Sequence, residues 1–272
     1  MVWLRNQPDK RQLVLDAFYD DPLIDAAERY FVSAEWQAVS NFLEHRTGKA
    51  LDVGAGRGIA SYALARSGFA VTALEPDPSA VVGTAAIRRL AAEARLPIEV
   101  VEEFSERLPF ADGAFNVVFA RAVLHHMRDL DSACREMFRV LRPGGMLIAV
   151  REHVISKEAD LGKFLDQHPL HHLYGAEHAY PLGRYTGALG DAGFADIEVL
   201  APLRSPINLF PHTIETLRAA VVERLARTIP VKPFWSAALA YRSVFRSLLS
   251  MAEHFDHRPG RLYSFVCHKA PA

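Results

Sequence analysis

Residues Leu51-Asp52-Val53-Gly54-Ala55-Gly56-Arg57-Gly58 constrain this chain more than any other stretch. An apolar run ends in an acid, glycines stand at 54, 56 and 58, and an apolar helix pattern begins near Ile59. Glycine lacks a Cβ, so such a turn can take backbone angles closed to other residues and let a ligand lie against the main chain. The helix that follows opens with N–H groups that have no partner inside it. A dinucleotide fingerprint needs glycines at G-x-G-x-x-G, and Ile59 occupies the last of those positions. The spacing therefore points to a different ligand.

The patterns around this turn predict an α/β domain. Apolar positions at helical spacing, from Leu13 through Phe42, make residues 1–48 an N-terminal helical cap that stops at Gly48. Strands are expected at 49–53, 70–75, 97–102, 115–120, 145–151, 195–201 and 261–268, with helices near 58–67, 78–94, 129–141 and 182–192. This alternation implies a Rossmann-like, seven-stranded, mostly parallel sheet with helices on both faces. Two insertions interrupt it, at 152–181 and at the mostly helical 202–260. Both leave positions from which they could cap the crevice beyond the strands' carboxyl ends.

The D-x-G-x-G-x-G pattern at 52–58 resembles the first motif of class I S-adenosylmethionine-dependent methyltransferases. Three further places agree in order and spacing. Phe69–Glu75 reads as a second strand ending in an acid. Leu108-Pro109-Phe110, followed by Phe115-Asn116-Val117-Val118, resembles the family's approach to the fourth strand. Leu141-Arg142-Pro143-Gly144-Gly145 resembles its helix stop before the fifth. The resemblance implies a methyltransferase domain over 49–272 that binds S-adenosylmethionine and releases S-adenosylhomocysteine. Asp52, Gly54, Ala55, Gly56 and Gly58 then hold the methionine part of the donor, and Glu75, beside Pro76, takes the ribose. Relatives carry an acid near the adenine where this chain has Phe104, flanked by Glu103 and Glu106; Phe104 and Ser105 are the adenine-side candidates here. Arg121 and Ala122 lie along the methionine part, and His125 and His126 stand at the methyl end.

A hydroxyl acceptor must lose a proton as the methyl arrives, and histidine titrates near neutrality, so His125 and His126 are the candidate catalytic bases. Residues 166–181 concentrate further histidines. Their spacing fits no closed zinc pattern, and the segment is read as acceptor-pocket lining, with His171, His172 and Tyr174 as candidates and no metal. The expected acceptor is a small molecule bearing a hydroxyl, such as a sugar, phenolic or polyketide-like metabolite. A carbon or nitrogen acceptor on a quinone, lipid or amine is the alternative, and a non-catalytic S-adenosylmethionine-binding regulatory protein is another.

Bulk properties narrow the partners. The net charge is −1, without a basic stripe, and Ala120-Arg121-Ala122-Val123 stands where enzymes acting on nucleic-acid amines carry N-P-P-[YF]. Nucleic acid is therefore not an expected partner. Cys134 and Cys267 make neither a disulfide framework nor a zinc site, and Met1–Lys10 lacks an apolar signal core. No apolar run is long enough for a transmembrane segment. A cytoplasmic protein is expected, with the apolar stripe around Phe234–Leu249 as core or a homodimer contact.

Overall fold

A computed structural model describes residues 2–168, 171–174 and 177–272. Four helices come first: α1 (Val2–Arg5), α2 (Arg11–Asp16), α3 (Leu23–Phe31) and α4 (Ala34–Leu43). In α3, Leu23, Ala26, Ala27 and Tyr30 recur at helical spacing and are all buried, so one stripe seals against the domain that follows. Ser33 caps α4 by accepting the Trp36 N–H at 3.1 Å.

The chain then alternates through β1 (Gly48–Val53), α5 (Ile59–Arg66), β2 (Phe69–Leu74), α6 (Thr84–Ala94), β3 (Ile98–Val101), β4 (Phe115–Arg121), α7 (Leu130–Val140) and β5 (Leu141–Ile155). Helices α8 (Leu161–Gln167) and α9 (His171–Tyr174) and the short β6 (Tyr180–Pro181) lead to α10 (Leu182–Ala192) and β7 (Asp196–Leu200). Helices α11 (Pro206–Leu209), α12 (Ile214–Thr228), α13 (Lys232–Ala240) and α14 (Arg242–Phe255) precede the final strand, β8 (Arg261–His268).

All strands join one sheet in the order β3-β2-β1-β4-β5-β8-β7, with β6 paired to β5 off this path. Strands β1 to β5 run parallel, while β8 is antiparallel to β5 and β7. The central strands bury both faces, which is why their sequences read as apolar runs. Ala50, Val117, Phe119 and Ile148 pack with Tyr30 and Trp36 of the N-terminal helices. Their neighbours Leu51, Val53, Val118 and Leu147 join Met137 and Leu189 on the opposite face. A register slip of one residue would exchange the two sets, so both cores fix the pairing.

The expected architecture forms, with local departures. Strand β5 is longer than 145–151: Leu141 pairs with Phe115, and Val154 pairs with both Tyr180 and Arg261. Residues 152–155, expected to open an insertion, therefore belong to the sheet. The helix expected from 78 begins at Thr84 instead. Asp77 accepts the Ser79 N–H on its carboxylate at 2.8 Å and the Thr84 N–H on its carbonyl at 2.7 Å, a turn that competes with helix. The second insertion packs around a cluster of its own, Val222, Leu239, Phe245 and Leu249. Among the described residues no helix is long and apolar enough to cross a membrane.

From β1 the chain moves outward through β2 and β3, then returns to β4 on the other side of β1. Strand order reverses there, and ligands of open α/β sheets bind beyond the carboxyl ends at such a point.

Candidate active site

A cavity of about 440 Å³ opens at this switch point, within the range of roughly 300–1,000 Å³ usual for small-molecule sites. Its wall is built from strand ends: Asp52 from β1, Gly54, Ala55 and Gly56 from the turn, Glu75 and Pro76 after β2, Phe104 and Ser105 after β3, and Arg121 and Ala122 at the end of β4. Gly58 is not on this wall. It is the N-cap of α5 with φ 83°, and a Cβ there would meet the Ile87 side chain at 3.1 Å, so its part is to shape the turn.

The other two glycines are required for different reasons. Gly54 has φ +63°, and a Cβ would stand 2.6 Å from Val123, so this position allows close packing of the turn on the segment after β4. Gly56 has φ +54° and a Cβ would meet nothing within 4 Å. Its bare backbone leaves room on the cavity side. The Gly56 N–H donates to one oxygen of Glu75 at 2.8 Å and the Asp77 N–H to the other at 3.0 Å, tying the second acid to the turn.

Both acids are buried among low-dielectric neighbours. Asp52 is 1% exposed and accepts a hydrogen bond from the Ser61 hydroxyl at 2.5 Å. Burial pushes its carboxyl up to about 7, with the Glu75 charge adding to the rise and the Ser61 bond opposing it. Burial also raises Glu75, against the two backbone N–H bonds.

Arg121 has a partner that the sequence did not reveal. Its Nε and Nη2 donate to the two oxygens of Glu35 at 2.6 and 3.0 Å, a two-pronged pair with a fully buried carboxylate from α4. The guanidinium lies over the Phe18 and Tyr30 rings. Burial disfavours its charge, yet Glu35 more than compensates and raises the guanidinium's pKa above its ordinary value. Arg57, inside the glycine motif, was likewise missed. It is buried, and its Nη1 donates to the carbonyls of Phe18 at 2.9 Å and Asp20 at 2.7 Å, while Nη2 pairs with Asp21. This clamp draws the N-terminal segment over the turn, so Ala17, Phe18 and Tyr19 become cavity wall. A charged residue within a turn that packs against a core needs such a partner, which is the signal that could have found it.

The two candidate bases differ in exposure, although their Nε2 atoms lie 3.8 and 3.7 Å from the same Glu177 oxygen. His126 is partly exposed and lines the cavity. His125 is buried, is not on the wall, and has its Nδ1 2.6 Å from the buried Glu152 carboxylate. The expected acceptor-side residues are elsewhere. His171 and His172 do not line this cavity, and exposed His172 has its Nε2 2.8 Å from the Asp166 carbonyl. The Tyr174 side chain lies outside the described residues. Among the described residues, neither 152–181 nor 202–260 contributes to the wall, and the expectation that these insertions cap the crevice is corrected. The N-terminal segment held by Arg57 covers it instead.

Residues 51–149 match the family described as a methyltransferase domain. The chain carries a class I methyltransferase domain. Over 62 residues it is 47% identical to the protein YafE of Escherichia coli K12, covering 22% of this chain and 30% of that one. It is 28% identical over 162 residues to a ubiquinone biosynthesis O-methyltransferase of Methylobacterium nodulans, covering 58% of this chain and 64% of the relative. The chain thus spans less than two thirds of the length of either. Among solved structures, phosphoethanolamine N-methyltransferase 2 of Haemonchus contortus in complex with S-adenosyl-L-methionine is similar, with a TM-score of 0.55 and 19% identity, covering 96% of this chain and 60% of that chain. At that identity the likeness shows the fold. The methyltransferase domain supplies Asp52, the glycine turn, Glu75 and His126. Phe18, Glu35 and Glu152 come from outside the matched stretch and complete its surroundings.

Proposed function

We propose that this chain transfers a methyl group from S-adenosylmethionine to an oxygen of a small-molecule acceptor. One observation carries the reading. A single cavity at the switch point gathers a buried acid, a side-chain-free backbone bend, a second acid tied to that bend, and a histidine. When bound, S-adenosylmethionine supplies an electrophilic methyl on a positively charged sulfonium.

The chain's own groups suit the remaining tasks. Ionised Asp52 attracts the donor's ammonium group, and its burial makes that charge pair strong. Glu75 accepts from ribose hydroxyls while backbone N–H bonds hold it in position. Phe104 offers an aromatic face for the adenine, with Ser105 beside it. Arg121 and the Phe18 ring close the methionine side, and the N-terminal segment excludes water there. The acceptor oxygen forms the new bond to carbon as the carbon–sulfur bond breaks and its electron pair stays on sulfur. The acceptor's proton passes to the imidazole of His126 and from there to solvent. Fixed alignment can contribute about 7–11 kcal/mol, and a positioned base about 10²–10⁴-fold.

Incubation with methyl-labelled donor and a panel of quinols, phenols, sugars and amines tests this. The expected product is an O-methyl ether, and His126→Ala lowers turnover by about 10²-fold with little change in donor affinity. An N- or C-methylated product, or unchanged turnover in His126→Ala, contradicts the oxygen reading. Tight donor binding with no turnover on any acceptor makes the chain a regulatory binding protein instead.

A further inference from the structure

Behind the donor cavity the fold assembles a second polar cluster from four separate places in the sequence. His125 comes from the turn after β4, His153 from β5, His168 from the end of α8, and Glu177 from the segment before β6. The His125 Nε2 is 3.8 Å from Glu177 Oε2, and the His168 Nδ1 is 3.9 Å from Glu177 Oε1. The His153 ring lies 4.9 Å from that of His125 and 5.0 Å from that of His168. One ligand atom each from His125, His153 and Glu177 falls within 4.8 Å of the others.

These contacts are too long for hydrogen bonds, which for N–H···O run at about 2.7–3.2 Å. They are close to what a shared ion needs. Bonds of about 2.0–2.2 Å in a tetrahedral site set ligand atoms roughly 3.3–3.5 Å apart, so a small contraction would bring these three onto one cation. The His168 Nδ1 is buried without a hydrogen-bond partner among the described residues and faces the same carboxylate.

An independent observation concerns the outward-facing nitrogens. The His125 Nδ1 lies 2.6 Å from Glu152, a carboxylate that also accepts the Val123 and His125 backbone N–H groups at 3.1 Å each. The Glu152 carboxylate acts as acceptor in both backbone contacts, so the 2.6 Å contact suits a proton on the His125 Nδ1. The His153 Nδ1 is 3.2 Å from the Gly260 carbonyl, which can only accept. Both rings are therefore held in the tautomer whose Nε2 lone pair is free. A carboxylate behind one histidine and a backbone carbonyl behind the other form the outer support found behind metal-bound imidazoles.

We propose that the Nε2 atoms of His125 and His153 and the Glu177 carboxylate bind one divalent transition-metal ion of the zinc type, with His168 beside it. Two imidazoles and a carboxylate suit zinc, iron(II), cobalt(II) or nickel(II) and disfavour magnesium or calcium, which take oxygen ligands. Three protein ligands leave a coordination position open, as in catalytic rather than structural zinc sites. The Glu177 Oε2 is also 3.7 Å from the Nε2 of His126, which lines the donor cavity, so the cluster lies directly behind His126. There the ion would bind the acceptor's hydroxyl oxygen, lower that group's pKa and aim it, with the released proton taken by His126. This last role rests on the methyl-transfer reading; metal binding itself does not. Chain spacing could not show the site, because its ligands come together only when β5, the turn after β4 and the 152–181 segment fold.

The test uses the full chain stripped with a chelator and titrated with cobalt(II) chloride, followed by its visible d–d bands, and with zinc chloride by calorimetry. Binding of one ion per chain is expected, at least 100-fold weaker in His153→Asn and Glu177→Gln and about 10–100-fold weaker in Glu152→Gln. The exposed-site control His172→Asn should bind as the parent does. S-adenosylhomocysteine affinity, measured on the same samples, should not change in Glu177→Gln, which also reports that this variant is folded. Absence of saturable binding overturns the site, as does equal affinity in Glu177→Gln and His153→Asn or a matching loss in His172→Asn. If metal binds but S-adenosylhomocysteine does not, the donor reading fails and the site stands. Equal turnover with and without the ion overturns the acceptor role alone.

Discussion

Asp52→Asn separates what the fold wants from what the site needs. The Asp52 carboxyl is buried and its pKa is about 7, against an ordinary value of 3.8. Between those two pH values the folded chain holds a proton that the unfolded chain has released, so stability falls as pH rises through this window. Above it the full cost of ionising a buried acid is present, on the order of 4 kcal/mol at 1.36 kcal/mol per pKa unit. Asparagine removes the charge and can still accept the Ser61 hydroxyl hydrogen, but its amide N–H groups must find partners of their own. The unliganded variant should therefore be more stable than the parent by about 2–4 kcal/mol at pH 8, and this advantage should shrink by about 2.7 kcal/mol at pH 5. Urea denaturation at both pH values measures this, and the pH 8 gain corresponds to a rise in Tm of about 4–8 °C. The same variant should bind S-adenosylhomocysteine at least about tenfold more weakly, since a charged hydrogen bond contributes about 1.5–3 kcal/mol. A variant no more stable than the parent at pH 8, or a gap that does not change with pH, would refute the claim that Asp52 is kept for binding at the expense of stability.

Other positions give sharper single outcomes. Gly56→Ala puts a methyl group toward open space at a left-handed φ; it should cost about 1–2 kcal/mol in stability and weaken S-adenosylhomocysteine binding by calorimetry. Gly54→Ala should lose more in a thermal melt, because its Cβ would strike Val123 at 2.6 Å and overpacking adds about 1–3 kcal/mol. Arg57→Ala removes the clamp on residues 17–21, so limited proteolysis should cut ahead of β1 and donor affinity should fall; an unchanged digestion pattern would remove the clamp from the account. Cys134 and Cys267 are buried, and burial pushes both thiols up to about 12, so a thiol reagent should label the native chain only as fast as it unfolds.

The parts of this fold that were readable share a physical origin. The glycine turn and the strand-end acids are local devices, in which sequence spacing and backbone chemistry coincide. The apolar runs of β1 and β4 announced a sheet covered on both faces. What stayed hidden is non-local. Nothing in the spacing joins Glu35 to Arg121 or Arg57 to Asp21, and the extension of β5 to Ile155 depends on partners supplied by β8 and β6. The same holds for the histidines. Adjacent in sequence, His125 and His126 both bring Nε2 within 3.8 Å of the same Glu177 oxygen, but only His126 reaches the cavity wall, while the buried His125 ring sets its Nδ1 against Glu152. His171 and His172 drew attention by their abundance in one segment, whereas His153, alone in a strand, is the one brought against His125.

A crystal structure of the chain with S-adenosylhomocysteine tests the central claim most directly. The account predicts the amino-acid end of that molecule beside Asp52 and Gly54, its ribose hydroxyls on Glu75, and its adenine against Phe104, with its sulfur directed toward His126. Density for the nucleoside elsewhere on the chain, or a nicotinamide or flavin dinucleotide seated over Gly56, would contradict it.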